Sequence, residues 1–105
     1  MTPGRTVFMP NRVFHDYSDA KRYGELKLLT QGSIDSVNLE DIEDRFREKM
    51  AESHSEDWVL VSGAPLLNII AAAVMLEKHG RVQLLQWDGV LKEYFPFTLE
   101  GKVDE

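Results

Sequence analysis

Apolar residues recur along this chain with two periods, and the switches between them divide it into elements. Thr6 to Phe14 (Thr-Val-Phe-Met-Pro-Asn-Arg-Val-Phe) has strand composition, but Pro10 cannot donate to a sheet ladder, so an edge position, a bulge or two short pieces is expected. His15 to Gly24 is polar, and its turn formers Asp16, Ser18, Asp19 and Gly24 predict a loop or a single helical turn around Ser18 to Tyr23. Glu25 to Thr30 alternates as a strand does, and Gln31-Gly32-Ser33 ends it. The period then lengthens. Leu39, Ile42, Phe46 and Met50 recur at helical spacing behind Asn38, a natural N-cap, with Glu40, Asp41, Glu43 and Asp44 crowding the positive end of the helix dipole. Val37 and Ile42 stand at the positions of a hydrophobic staple. This helix, over roughly Leu39 to Ser53, has one narrow apolar stripe and a charged outer face.

Trp58 to Ser62 is a short, nearly continuous apolar run, the mark of a central strand covered on both faces. A second helix is expected from Pro65, which suits the first helical position, to His79, with Gly80 at the left-handed position beyond its end. This helix is apolar on nearly every side, so part of it is expected to meet another subunit. Arg81 to Trp87 predicts the next strand. Asp88-Gly89 predicts a two-residue hairpin loop into Val90 to Phe95, and Pro96 ends that strand or confines it to an edge. The order β-β-α-β-α-β-β predicts an α/β fold: a small mixed sheet of about five strands, parallel at its centre, with an antiparallel edge hairpin and two main helices.

Length bounds this picture to one domain, since 105 residues allow one modest core. The termini, 1–5 and 101–105, are expected to be flexible. Apolar residues make up 43% and charged residues 29%, far from the composition of disordered chains. With no cysteine, disulfides, thiolate nucleophiles and zinc fingers are excluded, and a reducing, cytoplasmic setting is the expectation. The longest apolar run, Ala64 to Leu76, is interrupted by Asn68 and falls short of the roughly 20 residues that a bilayer needs, so no membrane association is expected. Net charge is −6, and all of the excess lies between Asp35 and Asp57, where nine acidic residues face Arg45, Arg47 and Lys49. Without a basic stripe, strong binding to a nucleic-acid backbone is not expected.

Candidate chemistry is sparse. In open α/β sheets ligands collect beyond the carboxyl ends of the parallel strands, where helix N-termini present free N–H groups. Ser62, Gly63 and Ala64 occupy that place ahead of Pro65, and Asn68 brings an amide near the same helix end, so these four residues are the candidate site for a small anion or the polar edge of a base. The turn has neither the spaced glycines of a dinucleotide fold nor the lysine of a Walker loop. The plainer alternative is that Ser62 caps the helix and Asn68 braces a neighbouring loop. A nucleophilic Ser62 needs a base. His79 lies near the far end of the second helix, roughly 20 Å away at 1.5 Å rise per residue, and His54 precedes the strand at its opposite end. Only His15 can reach, and only if the first strand runs parallel to the central one. No metal-ligand spacing stands out, and no cofactor is implied. Trp87, Tyr94, Phe95 and Phe97 cluster on the hairpin as core or interface surface, with base stacking as the alternative.

Ser62-Gly63-x-Pro65-x-x-Asn68 with an alanine-rich helix, His79-Gly80-Arg81-Val82 and Leu84-Leu85-x-Trp87-Asp88 resembles small uncharacterised α/β proteins of bacteriophages and their bacterial hosts, over roughly residues 15–97. That resemblance carries no assigned activity. The small viral ring nucleases that cleave cyclic oligonucleotides are similar in placing a polar turn between strand and helix, but their glycine-histidine turn is missing here. Two functions follow as expectations. One is a non-enzymatic, homo-oligomeric accessory or regulatory protein, dimeric through the helix Pro65 to His79 or the hairpin Trp87 to Phe97. The other is a nucleotide- or phosphoester-binding protein, extending to a nuclease or phosphoesterase, that uses Ser62 to Asn68 with His15 as acid or base.

Overall fold

A computed structural model describes residues 4–30 and 39–101. The expected turn at Gln31 to Ser33, the Asn38 cap and Val37 of the staple lie outside them. Five strands form one mixed sheet: β1 (Thr6–Met9), β2 (Glu25–Leu28), β3 (Trp58–Leu60), β4 (Arg81–Asp88) and β5 (Glu93–Glu100). Their order across the sheet is β2-β1-β3-β4-β5. The first four run parallel and β5 is antiparallel to β4. Helix α1 (Leu39–Lys49) connects β2 to β3, and α2 (Pro65–His79) connects β3 to β4. Both crossovers step the same way across the sheet, so both helices land on the same face. Phe8, Val59 and Val82 of the sheet pack there with Ile42, Phe46 and Met50 and with Leu67, Ala71, Val74 and Met75. No helix among the described residues is long and apolar enough to cross a membrane.

Strand pleat sends alternate residues to the opposite face. Val7, Met9, Leu60 and Leu85 lie there with the partly buried Trp58 and Trp87. Among the described residues no long helix covers this side. The chain between β1 and β2 does so instead, through Val13, Tyr17, Tyr23 and Ala20, the last within a 3-10 turn at Ser18–Arg22. β1 stops at Met9, immediately before Pro10, which leaves Val13 free to turn under the sheet. A buried carboxylate closes the opposite end of the sheet. Asp57 accepts Thr6 N–H at Oδ1 (2.9 Å) and His54 N–H at Oδ2 (2.7 Å), tying the start of β1 to the entry of β3.

The residues expected to bracket α2 do so, with Pro65 in its first turn and Gly80 at φ 74°, its N–H donating to Leu76 O, while the N-cap is Ala64 and not Ser62. The last hairpin departs from expectation. Asp88 pairs with Glu93, so the loop is Gly89 to Lys92 and not Asp88-Gly89. Asp88 Oδ1 accepts the N–H groups of Val90 (2.9 Å) and Leu91 (3.1 Å), and Lys92 takes φ 58° to finish the turn. β5 then runs straight through Pro96, opposite Leu85. The edge position explains this tolerance. Tyr94 N–H donates to Asp19 (2.7 Å) and Tyr94 C=O accepts from Arg22 (2.9 Å), so Tyr94 turns its backbone groups away from β4. Pro96, two residues on, falls in the same register and costs the ladder no donor.

Candidate functional site

β1 and β3 are neighbours in the sheet, and the chain leaves them in opposite directions. From β1 it passes under the sheet towards the 3-10 turn, and from β3 it rises into α2. Such a divergence opens a crevice at the carboxyl ends of the strands. A cavity of about 410 Å³ occupies this place, lined by Asn11, Arg12, Phe14 and His15 from the first connection and by Ser62, Gly63 and Gln86 across it. Because β1 is parallel to β3, His15 does come to the Ser62 end of the sheet. His79 does not. It lies at the other end of α2, its Nε2 at 2.9 Å from Ser53 Oγ, where burial lowers its pKa from the ordinary histidine value.

Within the cavity the two candidate catalytic residues have separate partners. Ser62 Oγ donates to Asn68 Oδ1 (2.8 Å), and the same oxygen accepts Ser62 N–H (3.0 Å), while Asn68 Nδ2 donates to Ser62 C=O (2.9 Å). Ser62 Oγ also receives Ala64 N–H at 3.3 Å. Asn68 thus clamps the turn between β3 and α2 from one helical turn inside the helix, and Ser62 serves as its counterpart. Ala64, at the N-cap, makes no side-chain cap. Gly63 is exposed, with nothing near the place of a Cβ, so the backbone there lies open to the cavity.

His15 is held by aromatic neighbours. Its ring stacks on Trp87, with centroids 4.2 Å apart and planes 15° apart, and its Nε2 lies 2.7 Å from the Tyr94 hydroxyl. Tyr94 is almost wholly buried, and burial, helped by the nearby Asp19 and Asp16 carboxylates, pushes its pKa up to about 12. It therefore stays a neutral phenol. Whichever partner carries the proton, the contact commits Nε2, and among the described residues Nδ1 has no hydrogen bond. No hydrogen bond joins His15 to Ser62. Beyond the His15–Trp87 stack lies a second cavity of about 440 Å³, lined by Asp16, Ser18, Asp19 and Lys92. Asp19 is held below the ordinary carboxylate pKa by the Tyr94 N–H and then by Arg22, and Asp16 by the Ser18 N–H.

These features come from three separate segments of chain, and a model described as Phage Pam3 gp32-like protein matches residues 6–101, from the start of β1 to just past β5. The chain belongs to the phage Pam3 gp32-like family. No curated protein and no solved structure matches it. The family spans every part of the cleft, including the connection after β1 that sequence reasoning valued only for His15. Arg12, Phe14 and Gln86 were missed, as were Trp87 and Tyr94 in their role of holding His15. The local pattern around residue 12 carries no motif. Only the strand order brings it opposite Gly63. Among the described residues, no three histidine or carboxylate side chains converge as a metal site.

Proposed function

We propose that this gp32-like chain is a small phage accessory protein that holds a small anionic ligand, of the nucleotide or phosphoester class, in the cleft between β1 and β3 without turning it over. The convergence of Arg12, His15, Ser62 and Gly63 on one cavity carries the reading. Among the described residues Arg12 is the one lining side chain with a permanent positive charge, and a guanidinium matches phosphate through paired N–H donors. Gly63 lets the ligand approach the backbone. A binding role is favoured over catalysis because the Ser62 hydroxyl is directed at Asn68 and His15 Nε2 at Tyr94, whereas an activated nucleophile needs its base within hydrogen-bond reach. Calorimetric titration with inorganic phosphate, ribose 5-phosphate, 5′-mononucleotides and cyclic oligonucleotides tests it. At least one should bind, and Arg12→Gln should weaken that binding about tenfold or more. Silence from all of them at millimolar concentration removes the reading.

Self-association is a second, compatible reading with its own observation. Leu66 and Ile69 of α2 are exposed, as are Phe95, Phe97 and Leu99 of β5. The last three stand opposite Gln86, Leu84 and Val82, on the helix-bearing side of the sheet but beyond the cover of α2. Leu76 reaches Gly101 just after β5 and joins the two surfaces. Contact through these side chains suits a symmetric dimer better than edge-to-edge pairing, because Pro96 and the Asp19–Arg22 cover obstruct the edge of β5. Light scattering should give a dimer that Phe97→Lys with Ile69→Lys returns to monomer. A monomer at several hundred micromolar wild-type chain removes this reading.

A further inference from the structure

Phe14 stands on the rim of the cleft with 101% of its reference surface exposed. Single exposed apolar side chains are common on protein surfaces, so exposure alone says little. Its setting says more. Among the described residues most other exposed apolar side chains come in groups, on α2, on β5 and at Val90 and Leu91 of the hairpin loop, and Leu39 stands alone at the start of α1 at only 36%, whereas Phe14 is solitary, fully exposed and lines a cavity. It is also presented by a fixed backbone. Val13 on one side is buried in the lower core, and His15 on the other is pinned by Trp87 and Tyr94. Arg12 is exposed as well, so Arg12, Val13 and Phe14 read exposed, buried, exposed, and cation and ring emerge together on the solvent side of the segment. The Cα atoms of residues two apart are at most roughly 7 Å apart, which is the scale of a nucleotide's own base-to-phosphate separation.

We propose that the cleft takes a mononucleotide, with its phosphate on Arg12 and its base stacked on Phe14. This rests on the ligand-binding reading above and narrows its ligand from any small phosphoester to a single nucleotide held by its base as well as its phosphate. The lining is polar and apolar in equal parts, with Asn11, Arg12, Ser62 and Gln86 beside Val13, Phe14 and Val61, which suits a ligand that has both a sugar-phosphate and a flat base. The net charge of −6 and a single lining cation favour one nucleotide over a strand, whose binding grows with each neutralised phosphate. Stacking on one ring accepts any base, since every base has a π-face.

Calorimetric titration of the full chain with ribose 5-phosphate, 5′-AMP and 5′-UMP separates the two levels. The tighter of the two nucleotides should bind at least about fivefold more strongly than ribose 5-phosphate, the lower end of what base stacking supplies. Phe14→Ala should abolish that advantage without changing ribose 5-phosphate affinity, and Phe14→Trp should keep it. A residue so exposed can be replaced without harm to folding. If ribose 5-phosphate and the nucleotides bind equally, the nucleotide assignment fails and the anion-binding cleft stands. If none binds, both fail. A decanucleotide binding more than tenfold tighter than either mononucleotide would also overturn the assignment, in favour of a strand-binding groove.

Discussion

Replacing Asn68 by alanine should destabilise the protein by about 2 kcal/mol. Three hydrogen bonds between Asn68 and Ser62 disappear, those from Ser62 N–H, from Ser62 Oγ and to Ser62 C=O. At about 1 kcal/mol each they contribute roughly 3 kcal/mol. Two effects reduce the loss. Alanine forms helix better than asparagine by about 0.6 kcal/mol, and both residues are only half-buried, so water recovers part of the exposed bonding. For a chain of 105 residues, 2 kcal/mol corresponds to a fall in Tm of roughly 9 °C. Urea unfolding followed by tryptophan fluorescence measures it directly, with Trp58 at the start of β3 as a reporter. Asn68→Asp is the control. It keeps Oδ1 as acceptor but turns an oxygen towards Ser62 C=O, and its charge is favourable near a helix N-terminus. It should fall between wild type and Asn68→Ala. A loss below 0.5 kcal/mol for Asn68→Ala, or an aspartate variant less stable than the alanine one, would show that the clamp does not hold this turn.

Asp57→Ala removes a buried carboxylate that accepts two charge-assisted bonds, from the backbone N–H groups of Thr6 and His54, and should cost about 3 kcal/mol in urea unfolding, with Asp57→Asn intermediate because it keeps one acceptor. Tyr94 has its pKa raised from 10 to about 12 in the folded state, so the folded protein holds the phenolic proton more tightly than the unfolded chain. That contribution is complete below pH 10 and disappears as pH rises to about 12, a loss of roughly 2–3 kcal/mol at most; the stability difference between wild type and Tyr94→Phe should narrow over that window and stay flat between pH 7 and 9. Lys92 occupies the left-handed region at φ 58°, so Lys92→Gly should raise stability by about 0.5–1 kcal/mol in a calorimetric scan.

Much of the fold was legible along the chain. Pro65 and Gly80 bracket α2 because their chemistry acts within a residue or two, on an orphan N–H at one end and a left-handed φ at the other. The apolar run at Trp58 identified the central strand because both of its faces are covered, one by helices and one by the connection after β1. The hairpin was misread for a reason of longer range. Asp88-Gly89 favours a two-residue turn locally, but only the four-residue loop sets Tyr94 opposite Trp87, their rings 5.0 Å apart, with the hydroxyl on His15. A buried, hydrogen-bonded aromatic outweighs a local turn preference.

The sequence by itself determined the elements, their order, the mixed sheet and the ends of α2, since each depends on side chains a few positions apart. It also placed Ser62 and Asn68 at the head of a helix. The tertiary structure alone decided that β1 lies parallel beside β3 although about fifty residues separate them. That single adjacency brings Arg12, Phe14 and His15 opposite Ser62 and Gly63, and it follows from non-local packing of Val7, Phe8 and Val59 on two faces of the sheet. Periodicity records which face a residue shows. It does not record which strand lies alongside, and the cleft is made by neighbouring strands.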